Sequence, residues 1–189
     1  MTNSHFNDSY ARGLKYLEMV QSFALEPRMV DVMENLRDRA VICNWIGKYI
    51  SVVNAYLNTY LEACHECFYP EQRRHIQIFA APLAQSLGID GLCNIWMVPV
   101  TILIDVGRVA PEDWFGLVAH EYTHAHIGNA GHNEQFAEVL SHLCLGLGFP
   151  TPLLEMGMQK NLQSWPYCRS MTDSLAFWRG ETFTKYVSS

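Results

Sequence analysis

His120-Glu121-Tyr122-Thr123-His124-Ala125-His126-Ile127-Gly128-Asn129-Ala130-Gly131-His132-Asn133-Glu134-Gln135-Phe136 is the stretch on which the reading of this chain turns. Upstream, Pro111-Glu112-Asp113 marks a helix start, with proline in the first turn and carboxylates at the positive end of the helix dipole. The helix is expected to run to about Ile127 and to stop in the turn Gly128–Gly131. A second helix is expected from about Asn133 to Leu147. Trp114, Phe115, Leu117, Val118, Ala119, Tyr122 and Ala125 make the first helix apolar nearly all round, so it is expected to be buried.

On such a helix His120 and His124 lie about 40° apart around the axis and one turn along, so both imidazoles point the same way. Two neutral imidazole nitrogens suit zinc. Glu121 sits about 60° around from His124, at the rim of that face. There it is placed to take a proton from a metal-activated water instead of ligating the metal. Two histidines and a glutamate on a buried helix need a compensating partner, and a metal supplies one.

A catalytic zinc takes three protein ligands and a water. Candidates for the third are His126, His132, Glu134, Glu138 and His142. His126 comes about 240° around the helix from His120 and faces away. Phe136, Val139, Leu140, Leu143 and Leu147 form the core stripe of the second helix. His132, four residues before Phe136, extends that stripe, whereas Glu134, Glu138 and His142 share the opposite, solvated face. His132 is preferred, with Glu138 its main rival. The alternative for His132 is a helix-capping role with no metal.

Working outward, Asn94 to Val106 is rich in β-branched residues and bounded by Gly91 and Gly107, which reads as one strand. Pro99 within it favours an edge position or a bulge. Helical periodicity is expected over residues 10–25, over about Pro27 to Arg39, and from Ile42 to about Phe68. In the last of these Ile42, Trp45, Ile46, Tyr49, Val53, Tyr56 and Tyr60 recur as a core stripe. Residues 71–87 read as helix with a break near Pro82, and Gly88 as a C-cap. A short helix is expected near Thr172–Arg179. The expectation is one domain over 1–189, α+β and mostly helical: a helical part to about 90, a core over about 91–150 with a small sheet, and a mixed C-terminal segment over about 151–189.

The bulk composition limits function. About half of the chain is apolar (49%) and 17% is charged, which fits a folded protein. Nineteen acidic residues against thirteen basic leave a net charge of −6, and with no Lys/Arg stripe nucleic acid is not indicated as a partner. No apolar segment has the length of a membrane span, and the N-terminus lacks a signal-peptide pattern, so a cytoplasmic protein with reduced thiols at its six cysteines is expected. Cys64-His65-Glu66-Cys67 has metal-like spacing but no second CxxC to complete it, and is read as incidental thiols.

The segment HEYTHAHIGNAGHNEQFAEVLSHLCLGLG resembles the active-site stretch of SprT-like and related WLM-type zincin metallopeptidases, over roughly residues 94–148. The resemblance implies His120, His124 and His132 as zinc ligands, Glu121 as catalytic base and a protein or peptide as substrate. It also implies that an edge strand before the helix, here Ile95–Ile104, holds the peptide by β-augmentation. The paired CxxC motifs of a C-terminal zinc ribbon are missing, so a DNA-linked role does not carry over. A zinc-dependent metallopeptidase is the expected function. A metal-retaining binding or regulatory protein of zincin fold, and a non-peptidase zinc hydrolase such as an amidase or ribonuclease, are the alternatives. Tyr122, His126 and Tyr167 are candidates to stabilise an oxyanion, and Met156 or Met158 to lie beneath the metal.

Overall fold

The computed structural model describes residues 2–31, 33, 35–152 and 158–182, with side chains from residue 8 onward except at 158–160. Two long helices, α1 (Thr2–Phe23) and α2 (Leu36–Glu66), lie against each other. Leu17 and Val20 of α1 and Ile42, Cys43, Ile46, Val53, Leu57 and Leu61 of α2 are buried in the same core. The expected stripe on α2 holds for Ile42, Trp45, Ile46 and Val53, but Tyr56 is exposed and Leu57 and Leu61 take its place.

The helix expected over Pro27–Arg39 does not form as one piece. Pro27–Met29 makes a single 3-10 turn, Val30 forms a bridge with Leu83, and α2 begins only at Leu36. Asn35 explains the restart: its side chain accepts the Arg37 N–H at 2.9 Å, satisfying a donor that a new helix leaves unpaired.

The helix expected over 71–87 is also not formed. Ile76–Ala80 is a strand, β1, whose residues alternate between buried and half-buried, and Gln85–Leu87 is a 3-10 turn closed by Gly88 in the left-handed region. Ile76 and Ile78 are two apart, and that period-2 spacing outweighs the helical one.

The single edge strand expected between Asn94 and Val106 is likewise corrected. Gly91–Asn94 forms β2, residues 95–99 form a turn, and Val100–Ile104 forms β3. The sheet order is β1-β3-β2, with β3 parallel to β1 and antiparallel to β2. The segment Ile95–Ile104 therefore supplies the central strand, and the edge next to the helix pair is β2. Pro99 falls just before β3, where its missing N–H costs no ladder bond.

Beyond the sheet come α3 (Trp114–Ile127), α4 (Glu134–Leu147), α5 (Met158–Gln163) and α6 (Ser174–Trp178). The protein is thus mostly helical with a small mixed sheet, α+β as expected. As expected for an apolar helix, α3 is buried continuously from Gly116 to Ala125, lying between the sheet, α2 and α4. Asp105, just past β3, accepts hydrogen bonds from Leu83 N (2.9 Å), Gly107 N (3.1 Å) and Trp178 Nε1 (2.9 Å), and so ties α6 to the end of the sheet. Among the described residues, no helix is long and apolar enough to cross a membrane.

Candidate metal centre

The site is built by the way α3 ends. Gly128 adopts a left-handed conformation (φ 69°), open to glycine without strain, and its N–H closes on the His124 carbonyl. The chain then folds back. Gly131 N donates to Asn129 Oδ1 (2.7 Å), and Asn133 caps α4 by accepting the Phe136 N–H (3.0 Å). Asn133 is therefore the cap, and His132 is left free to face α3.

His120, His124 and His132 each offer one nitrogen, and the three atoms lie within 4.8 Å of one another. Nε2 of His120 and Nε2 of His132 are 3.1 Å apart. Nδ1 of His124 is 2.9 Å from the Asn129 carbonyl, to which it donates as the Nδ1–H tautomer, leaving Nε2 with its lone pair free. The Phe136 ring backs all three imidazoles at centroid distances of 4.6 to 5.1 Å.

Burial holds His120 down to about 3, helped by the neighbouring His124 and His132, with the Trp165 backbone opposing. That opposition is weak, because buried Nδ1 of His120 makes no hydrogen bond of normal geometry. Burial likewise lowers His124 to about 4, against the Asn129 carbonyl, and it lowers His132 as well. All three rings are neutral at pH 7, the state that binds a metal.

A cation fits this donor set. Three uncharged imidazoles converge, and a tetrahedral ion with about 2.0–2.1 Å bonds would hold its ligands about 3.3–3.4 Å apart, close to the His120–His132 separation. At 3.1 Å these two nitrogens can also share a proton as an N–H···N hydrogen bond, so it is the convergence of the third imidazole, His124, that makes the cluster a metal-type donor set.

Glu121 is buried one residue along, and burial, then the negative charge of Asp90, pushes its carboxyl up to about 8. It rests against the backbone of Gly91 at the start of β2. The imidazoles and Glu121 open into a cleft of about 410 Å³. One wall is the edge strand, through Gly91, Leu92 and Cys93. The other is the C-terminal segment, through Gln163, Trp165, Pro166 and Cys168.

The residues proposed from sequence divide cleanly. His120, Glu121, His124 and His132 come together. His126 is turned away, stacked on Phe68 at 4.1 Å, and Tyr122 bonds His65 Nδ1 through its hydroxyl (3.0 Å) on the side of α3 that faces α2. Glu138 and Glu134 are exposed, and His142 Nε2 reaches the Cys67 carbonyl (2.8 Å). Tyr167 is exposed, within the segment that walls the cleft. Cys64 and Cys67 join no metal-binding group among the described residues. Met156 lies outside the described residues, as does the side chain of Met158.

Three further residues take part in the site, of which Trp165 has no role in the sequence reading. Gly91 meets the Glu121 carboxyl, Cys93 lines the cleft with its thiol raised by burial and by Glu121, and Trp165 covers His120. Gly91 is legible in the sequence as a strand boundary and not as a contact of Glu121.

No family model, curated protein or solved structure matches the chain.

Proposed function

We propose that the chain is a zinc-dependent hydrolase acting on peptide bonds, in the manner of a zincin, with His120, His124 and His132 as metal ligands and Glu121 as general base. The observation that carries the reading is a buried carboxyl beside three converging neutral imidazoles, all facing one cleft. A purely structural metal needs no such carboxyl.

Zinc bound by the three histidines supplies a Lewis acid, which acidifies a water and polarises a carbonyl. The protein's own groups do the rest. Glu121 takes a proton from the attacking water and returns it to the leaving amine nitrogen. Its carboxyl, at about 8 in the metal-free protein, is drawn down by a nearby cation, so it is a base when the site is filled. The Asn129 carbonyl fixes the tautomer of His124, and the Phe136 ring fixes the plane of each imidazole. Edge strand β2 borders the cleft, which suits an extended peptide lying beside it.

The test combines metal content with turnover. Purified wild type and Glu121→Gln are expected to carry near-stoichiometric zinc, with cleavage of an unfolded protein lost only in Glu121→Gln. His132→Ala is expected to lose most of its zinc. Full occupancy in His132→Ala removes that histidine from the ligand set, and undiminished cleavage by Glu121→Gln removes the mechanism.

A further inference from the structure

Edge strand β2 does not end in a polar turn. It runs into residues 95–99, Ile-Trp-Met-Val-Pro, where Trp96 is 82% exposed and Val98 91% exposed, with Ile95 and Met97 half-buried between them. No charged residue occurs from Gly91 to Ile104. The turn is held in place, because Asn94 Oδ1 accepts the Trp96 N–H (3.2 Å) and Asn94 Nδ2 donates to the Phe23 carbonyl at the end of α1 (2.9 Å). An indole and a valine kept in water on an anchored turn form an apolar patch that calls for a partner.

The location of the turn says which partner. The strand starts against the base, at Gly91, and Trp96 is five residues further on. At about 3.3 Å per residue, the Trp96 backbone lies within about 17 Å of Gly91, the residue that meets Glu121. We propose that the Trp96–Val98 turn is a substrate-docking exosite, which takes a bulky apolar side chain of an unfolded polypeptide up to about five residues from the scissile bond. The inference rests on the peptidase reading and adds a substrate class to it: extended segments carrying exposed aromatic or aliphatic residues, as presented by misfolded proteins and not by folded ones. The cleft wall ends at Cys93, three residues before Trp96, so a segment paired along β2 and running on past the cleft reaches the turn.

The test uses the zinc-loaded Glu121→Gln protein, which keeps the peptide intact. Binding is read from the anisotropy of a labelled twelve-residue peptide with Phe and Leu near one end, and of its twin with Ser and Asn there. Trp96→Ser is expected to weaken binding of the apolar peptide about ten-fold or more, to leave the polar twin unchanged, and to be rescued by Trp96→Phe. Equal binding of the apolar peptide by Trp96→Ser and its parent overturns the exosite. So does loss, in Trp96→Ser, of sedimentation with phosphatidylserine–phosphatidylcholine vesicles while peptide binding is retained, which would make the turn a bilayer contact. The two readings fail separately: apolar peptide bound through Trp96 but never cut by wild type ends the hydrolase reading and leaves the turn a peptide-binding surface only. Wild-type cleavage that Trp96→Ser leaves unchanged, with unchanged binding, ends the exosite alone.

Discussion

Gly91 and Glu121 touch: a Cβ on Gly91 would stand 2.9 Å from Oε1 and 3.1 Å from Cγ of Glu121. The start of β2 is thus shaped to the side chain read here as the base, and the absence of a side chain on the strand is what lets the carboxyl lie there. Gly91→Ala is expected to push Glu121 away while leaving the three histidines in place. A displacement of about 1 Å at a reacting group costs on the order of a hundred-fold in rate. The expected result is a large loss of kcat with zinc content and melting temperature close to wild type. An unchanged kcat would show that the carboxyl position is not limiting.

The lowered histidines make a second prediction, about pH and metal removal. In the unfolded chain a histidine takes its proton near 6.5, whereas folded His120 and His124 take theirs only near 3 and 4. Between about pH 4 and 6.5 the unfolded state binds more protons, so stability of the chelated protein falls as pH is lowered through that window. Protein treated with a chelator is expected to lose melting temperature from pH 7 to pH 5. The drop should be smaller in His124→Gln, taken as the difference from wild type at each pH. Added zinc should raise the melting temperature of wild type at pH 7 and have little effect on His120→Ala.

How much of this was legible in the sequence depends on what each segment's signal is made of. The α3–turn–α4 unit could be read because polar chemistry interrupts an otherwise apolar helix and a glycine-rich turn follows it. His132 could be chosen because its rivals Glu138 and His142 share the other face of α4, and both are indeed turned outward. Strand β1 was not legible. Five residues that pair in parallel with a strand some twenty positions on carry no local signature beyond Ile76 and Ile78. The β2–β3 hairpin was misread for the opposite reason. Trp96 and Val98 are apolar yet exposed, so a run that reads as one continuous strand conceals its own turn. That violation of pattern sits where an exosite is proposed.

Asp105 makes the third prediction. It receives three buried donors, from Leu83, Gly107 and Trp178. Asp105→Ala leaves all of them unpaired, at about 1–3 kcal/mol each, so a loss on the order of 3–9 kcal/mol is expected in urea unfolding. Asp105→Asn keeps one oxygen for Gly107 and Trp178 but turns an NH2 toward the Leu83 N–H, for an intermediate loss. Burial pushes the Asp105 carboxyl up to about 7, with the Trp178, Leu83 and Gly107 bonds and Arg108 opposing. The folded state then holds the proton to higher pH than the unfolded chain does. This group's contribution is therefore fully present below about pH 4 and lost as pH rises to about 7. The stability difference between wild type and Asp105→Asn should narrow over that interval and stay level above it. A difference independent of pH would show that the carboxyl is ionised throughout.

The last prediction concerns the helix pair that supports α3 from behind. A Cβ on Gly13 of α1 would overlap the Cys43 carbonyl of α2, and one on Gly47 of α2 would overlap the Ser9 carbonyl of α1. The two backbones meet at these glycines with no side chain between them, and backbone on both sides cannot rotate out of the way as a side chain can. Gly13→Ala must separate the helices, which opens space around Leu17, Ile42 and Ile46, all fully buried. Overpacking of this kind costs about 1–3 kcal/mol, and more when the obstacle is backbone. On an exposed helix face the same change would stabilise by up to about 1 kcal/mol. The sign of the effect is therefore diagnostic. Thermal unfolding of Gly13→Ala and Gly47→Ala is expected to show a clear loss for each, with less than the summed loss in the double variant, since one separation relieves both contacts. Stabilisation by either alanine would mean that α1 does not sit this close to α2 in solution.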